Sequence, residues 1–287
     1  MTYDERERAS SAPRRALTDP RRFLIPEASL PPGFAERVEG RRFEPAPTRP
    51  AATVVLVREA EEMEVLLLRR PMRSGFAAGA WVFPGGRVDR SDSEPGLAGL
   101  LGTGSGASWA GRLGLADASD ALGYVVAALR EAWEETGIVI GDATADASRL
   151  AEVRRALLAG ELEMAEAVRR AGLRFDLSDL LYVAHWITPE PEPRRYDTRF
   201  FLARVGECDD CVLEGEELSE SRWVSPRLAV EAFQSGEMML LPPTVDTLRR
   251  LAGFRGLDAA WAELRDAPVP RILPRMVRDP LGVIIEF

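Results

Sequence analysis

Apolar residues recur along this chain with a period of two in some segments and of three to four in others, after a first stretch that has neither. Residues 1 to about 48 are rich in Arg, Pro and Glu, with short apolar patches such as Phe23-Leu24-Ile25. Prolines spread from Pro26 to Pro50 predict an extended arm without long regular structure. Order begins at Thr53-Val54-Val55-Leu56-Val57, a β-branched run predicted as a buried strand. Val65-Leu66-Leu67-Leu68 follows a polar turn, so the two predict a hairpin. Trp81-Val82-Phe83 predicts a strand running into the sharp turn Pro84-Gly85-Gly86, with Trp81 and Phe83 in the core. From Pro95 to Ser119 the chain is Gly, Ala and Ser with scattered leucines, which predicts a long loop with about one short helix.

A helix comes next, with Ser119 or Asp120 as its cap and Val125, Val126, Leu129, Ala132 and Trp133 at spacings of three and four. Gly137 suits the left-handed residue that ends it, and Ile138-Val139-Ile140 predicts a strand. Residues 148–172 read as one or two amphipathic helices. Strands are predicted at 181–184 and 199–203, separated by the bend Glu190-Pro191-Glu192-Pro193-Arg194-Arg195. Trp223-Val224 is a short strand, and Ser225-Pro226 opens a helix to about Phe233, proline fitting its first position. Helices near 245–251 and 257–264 precede a last strand at Val283-Ile284-Ile285. The mixture predicts an α/β (α+β) sandwich. Its organisation is an arm at 1–48 and one domain at 49–287. That domain contains an insertion at about 95–119 and a helical extension at about 225–287.

Composition narrows the function classes. A net charge of −9 argues against a nucleic-acid surface. No run reaches the roughly 18 apolar residues of a membrane span, and the charged N-terminus lacks a signal peptide's apolar region. A cytoplasmic protein is expected. Every residue of the Lys+Arg total is arginine, so single arginines are weak functional signals here. Cys208 and Cys211 form a lone pair without the further ligands a zinc site needs. His185, the one histidine, reads as a strand residue making one hydrogen bond. The sequence leaves a homodimer open.

The chemistry concentrates in Arg130-Glu131-Ala132-Trp133-Glu134-Glu135-Thr136-Gly137-Ile138. On a helix, Glu131, Glu134 and Glu135 fall within one turn of each other. Like charges at such spacing weaken a helix by a few tenths of a kcal/mol, so helix stability does not account for them. A hard divalent cation would, since Mg²⁺ takes oxygen ligands from carboxylates together with substrate phosphates.

This segment resembles the second half of the Nudix box, R-E-U-x-E-E-x-G-U with U aliphatic, although the small Ala132 occupies the first U. Phe83-Pro84-Gly85-Gly86 resembles the usual lead-in. The resemblance implies an α/β/α sandwich with a mixed sheet and a hydrolase of nucleoside diphosphates linked to another moiety. It implies Mg²⁺ or Mn²⁺ held by Glu131, Glu134, Glu135 and the Gly85 carbonyl. Catalysis would fall to Glu131 and Glu134, with Arg130 orienting the acids. Counting from Gly86 puts Asp92 where the box has its first glutamate, with Asp89 and Glu94 as competitors. The gap from Asp92 to Arg130 is 37 residues where the box has seven, so an insertion splits it.

Leu66-Leu67-Leu68-Arg69-Arg70-Pro71, Gly79, His185-Trp186-Ile187-Thr188-Pro189 and the segment 194–201 resemble the branch of peroxisomal-type coenzyme A diphosphatases. Departures stand at Leu68, Pro71 and Gly75. That branch implies cleavage of coenzyme A or acyl-CoA to 3′,5′-ADP and a phosphopantetheine. The alternatives are another dinucleotide or nucleotide sugar (NADH, ADP-ribose) and a non-catalytic nucleotide sensor. Members of the family often take a further acid from a later loop. Glu217 fits that place, with Glu214, Glu216 and Glu220 as competitors. Arg70, Gly86, Arg194 and Arg195 are the candidates for holding the substrate.

Overall fold

Alternate side chains of one central strand decide the architecture. Val54 and Leu56 enter one apolar layer, and Val55 and Val57 enter the other; all four are fully buried. The computed structural model describes residues 21–40, 43–72, 77–99, 101, 105–206 and 219–287. Its strands are β1 (Arg22–Pro26), β2 (Thr48–Glu59), β3 (Met63–Arg69), β4 (Trp81–Val82), β5 (Gly85–Arg87), β6 (Gly141–Ala143) and β7 (Leu173–Phe175) in the first half. Then come β8 (Leu180–Ile187), β9 (Arg195–Arg204), β10 (Glu220–Val224), β11 (Arg271–Ile272), β12 (Arg275–Asp279) and β13 (Gly282–Glu286). The main sheet has the order β10-β3-β2-β9-β8-β11, with β4 on β3 and β5 on β2. It is mixed, because β2 and β9 run parallel while β8 and β9 run antiparallel.

Helices cover both faces. On one lie the long helix Ala118–Thr136, the insertion helix Ser105–Leu113, and the helices Ala147–Leu158 and Met164–Ala171. On the other lie Pro226–Ser235, Pro242–Ala252 and Leu257–Leu264, with a small sheet β1-β13-β12 beside them. The expected α/β/α sandwich is the observed fold. No helix among the described residues is long and apolar enough to cross a membrane.

Four local expectations change. The N-terminal arm is more regular than its prolines suggest. β1 pairs along its length with β13, Phe23 enters the core, and a helix Phe34–Gly40 fits between Pro32 and Pro45. Ile138-Val139-Ile140 is not a strand. Gly137 turns the chain with φ +77°, Ile138 N–H donates to Thr136 Oγ1 at 3.1 Å, and pairing starts only at Gly141. The insertion contributes two helices, Pro95–Ala98 and Ser105–Leu113. Asp117, rather than Ser119 or Asp120, caps the long helix by accepting from Ser119 N–H at 2.6 Å. Cys208 and Cys211 lie outside the described residues.

Candidate active site

The long helix is buried continuously from Ala121 to Trp133, because the sheet covers one side and the insertion the other. Its polar end therefore lies inside the protein, with Arg130 only 7% and Glu131 only 9% exposed. A charge so placed needs partners. Arg130 has them on every side. Its Nε donates to Asp92 Oδ1 at 2.9 Å, and its Nη2 donates to Asp92 Oδ2 at 3.1 Å and to the Arg87 carbonyl at 2.9 Å. Its Nη1 donates to Glu131 Oε1 at 2.8 Å and Glu134 Oε2 at 2.7 Å. One guanidinium thus gathers two acids of the helix and ties them to the glycine turn.

That turn is built against β2. Gly85 and Gly86 pair with Thr53 and Ala52, and Val54 N–H donates to the Pro84 carbonyl at 2.9 Å. Gly85 N–H donates to Glu135 Oε2 at 3.1 Å. A Cβ on Gly86 would lie 2.2 Å from Glu131 Oε1, so the missing side chain makes room for that carboxylate. A Cβ on Gly85 would lie 2.6 Å from the Ala52 carbonyl and 2.8 Å from Thr53 Cα, which are backbone and cannot swing aside. The two substitutions should therefore separate. Gly85→Ala is expected to lower unfolding free energy by about 1–3 kcal/mol, the usual cost of overpacking. Gly86→Ala should stay within about 1 kcal/mol of the parent by denaturant titration, since only a side-chain end must move, yet displace Glu131 and weaken Mn²⁺ binding. Equal loss of stability in both variants would contradict this assignment.

Asp92 is fully buried and has its carboxylate engaged by Arg130 and, at 2.8 Å, by Asp89 N–H. At the place of the box's first glutamate it is thus a holder of Arg130. Burial raises its pKa despite the pull of Arg130. Asp89 stands 3.7 Å from Arg130 and is exposed, and Glu94 is exposed on a groove lined also by Asp89, Arg90, Ser91 and Glu163. Burial also raises Glu134, and it pushes Glu131 up to about 7, the Arg130 charge offsetting only part of that effect.

The other candidates are scattered. Arg70 is half-buried at the end of β3, and its Nε is buried without a protein partner. Arg194 is exposed on the bend before β9. Arg195 is corrected. It is buried and donates to the carbonyls of Thr188 at 3.0 Å and Ala46 at 2.9 Å, so it fastens backbone rather than facing a ligand. Glu217, Glu214 and Glu216 lie outside the described residues; Glu220 is paired with Arg69 at 3.2 Å and Arg222 at 3.4 Å. His185 makes its bond to Asp197 Oδ1 at 2.9 Å. Arg154, which the sequence reading missed, is 3% exposed and reaches the carbonyl of Glu134.

Among the described residues no three acidic, His or Cys side chains stand as a ready-made metal cage. The donor chemistry nonetheless suits a hard divalent ion. Arg130 engages one oxygen of Glu131 and one of Glu134, leaving the second oxygen of each, with Glu135 and the glycine turn alongside.

Comparison with known proteins points the same way. The family model described as the NUDT19 Nudix domain matches residues 112–251. The acyl-coenzyme A diphosphatase NUDT19 of Gallus gallus is 27% identical over 246 residues, covering 69% of this chain and 63% of that protein. That of Homo sapiens is 30% identical over 239 residues, with the same coverages of 69% and 63%. The chain thus matches a little under two thirds of the length of these curated relatives. A NUDIX hydrolase from Alicyclobacillus acidocaldarius superposes with a TM-score of 0.65 at 30% identity, covering 78% of this chain and 99% of that one.

Proposed function

Because the chain belongs to the Nudix hydrolase family, we propose that it is a divalent-metal-dependent pyrophosphate hydrolase acting on coenzyme A or its acyl esters. The products are 3′,5′-ADP and a phosphopantetheine or its acyl form. The observation that carries the hydrolase reading is the Arg130 cluster, in which one buried guanidinium holds Glu131 and Glu134 beside Gly85-Gly86. The coenzyme A preference is supported by similarity to the acyl-coenzyme A diphosphatases of Gallus gallus and Homo sapiens, at 27% and 30% identity.

Glu131, Glu134 and Glu135, with the Gly85 carbonyl, would hold Mg²⁺ or Mn²⁺. The ion would neutralise the pyrophosphate oxygens and make an attacking water more acidic. The chain's own part is to have the acids in place beforehand. Arg130 fixes two carboxylates through charge-assisted hydrogen bonds, and Asp92 fixes Arg130. Gly86, having no side chain, leaves the space in which the Glu131 carboxylate lies against the glycine turn. A proton from the attacking water passes to one of the box glutamates. Arg70 and Arg194 are the arginines assigned to substrate phosphates; Arg70 brings an Nε with no protein partner.

The test is incubation with Mg²⁺ or Mn²⁺ and a panel of coenzyme A, an acyl-CoA, NADH, ADP-ribose and nucleotide sugars, with products identified by mass. Release of 3′,5′-ADP from coenzyme A or its ester supports the proposal. Consumption of NADH or ADP-ribose with coenzyme A intact would overturn the substrate assignment. Nucleotide binding without turnover under either metal would overturn the enzyme.

A further inference from the structure

The carbonyls in the last turn of an α-helix have no partner within the helix. In the long helix this turn carries Glu134 and Glu135, which places the acids where a helix is most prone to fray. Two local devices satisfy part of the turn. Gly137 N–H returns to the Trp133 carbonyl at 2.9 Å. Thr136 Oγ1 donates to the Ala132 carbonyl at 2.5 Å and accepts from Ile138 N–H at 3.1 Å. Ile138 N–H is the donor that a continuing helix would have given to Glu134. Its capture by Thr136 leaves the Glu134 carbonyl to a partner from elsewhere.

That partner is Arg154. Its Nη2 donates to the Glu134 carbonyl at 2.8 Å and its Nε at 3.2 Å, so two N–H groups of one planar fork close on a single oxygen. The side chain comes from the helix Ala147–Leu158, whose start is fixed by Asp146 accepting from Arg149 N–H at 2.8 Å. Arg154 is 3% exposed, and a buried cation is retained only where strong acceptors meet it. It sits at the negative end of the helix macrodipole, where a positive charge is favourable. Arg130 grips the side chain of Glu134 and Arg154 grips its main chain, so the residue is fixed from both ends.

We propose that Arg154 is a positioning residue for the acidic turn. By pinning the Glu134 carbonyl it keeps Glu134 and Glu135 in register with Glu131, and metal affinity depends on it. The consequence for metal rests on the function proposed above; the pinning of the turn does not. Partners that orient ligands in this way are typically worth 10–100-fold in metal affinity or activity.

Two readouts test it on the whole 287-residue chain. In EDTA, hydrogen–deuterium exchange of the segment 133–138 should quicken in Arg154→Met relative to the parent, while the β2 and β9 segments exchange as before. By calorimetry, Mn²⁺ should bind Arg154→Met at least tenfold more weakly, with Arg154→Lys intermediate because it keeps the charge but not the fork. If Arg154→Met does not fold, Arg154→Lys carries both measurements, with a severalfold loss expected. Unchanged exchange at 133–138, or Mn²⁺ affinity equal to the parent in a folded variant, overturns the proposal. If the parent binds no Mn²⁺ and Glu134→Gln changes nothing, the metal reading fails, and the exchange result alone decides the role of Arg154.

Discussion

Arg130→Met is expected to lower unfolding free energy by about 3–5 kcal/mol and to abolish hydrolysis. Removing one member of a buried charge cluster leaves the others uncompensated, and that is the expensive direction. Arg130 is the shared partner of Asp92, Glu131 and Glu134, and of these Asp92 is fully buried. The carboxylates left behind would take up protons, and the Arg87 carbonyl would lose its donor. Denaturant titration at pH 8 measures the loss, with the midpoint moving and the slope unchanged. Arg130→Lys should recover little, because a single ammonium cannot make the five bonds of the fork. A loss below about 1 kcal/mol in Arg130→Met would show that the cluster does not hold the helix end.

Glu131→Gln is expected to act in the opposite sense on stability while removing activity. The folded protein holds the Glu131 carboxyl at about 7 rather than 4.5, burial being the main cause. The folded state therefore binds this proton more tightly than the unfolded state does. The stability this gives is fully present below pH 4.5 and is lost as pH rises through about 7. Above that, the ionised side chain costs the metal-free protein up to roughly 3 kcal/mol. Glutamine is neutral throughout. In EDTA the variant should thus match the parent near pH 4.5 and exceed it by about 1–3 kcal/mol at pH 8, while Mn²⁺ no longer stabilises it. A variant less stable than the parent at pH 8 in EDTA would refute this. Stabilisation of the parent by Mn²⁺ at pH 8, absent from the variant, would assign the cost of burying this carboxylate to a cation site.

The central site was legible because helix geometry fixes it. Residues 131, 134 and 135 must share a turn wherever the helix lies, and Gly137 marks its end. The Asp92 contact was reachable only by counting through the glycine turn, and its role depended on a burial that spacing does not reveal. Arg154 left no signal, being one arginine among many on an amphipathic helix whose contact is with a main-chain oxygen. Arg195 misled for the complementary reason, since a basic pair on a bend looks like a phosphate clamp until the backbone around it is known. The reading of Ile138-Val139-Ile140 failed because β-propensity there lost to a left-handed glycine and a threonine hydroxyl. β1 went unread because its partner is β13, at the far end of the chain.

The insertion has a further consequence for how the two halves of the site find each other. Asp92 and Arg130 are separated by 37 residues, so their contact closes a loop about five times longer than the seven-residue connection of an unbroken box. Closure entropy grows only as the logarithm of length, and the added cost is about 1.5 kcal/mol. Burial within the insertion works against that cost. Leu97, Trp109 and Leu113 are at most 4% exposed, and burying one such side chain is worth roughly 1.5–3 kcal/mol. Trp109 meets the ring of Phe201 edge-on at 5.7 Å, and Arg199 donates to the Leu113 carbonyl at 2.7 Å. The connection is therefore packed into the core through β9 and the long helix, and these contacts hold together a join that its length alone would weaken only slightly.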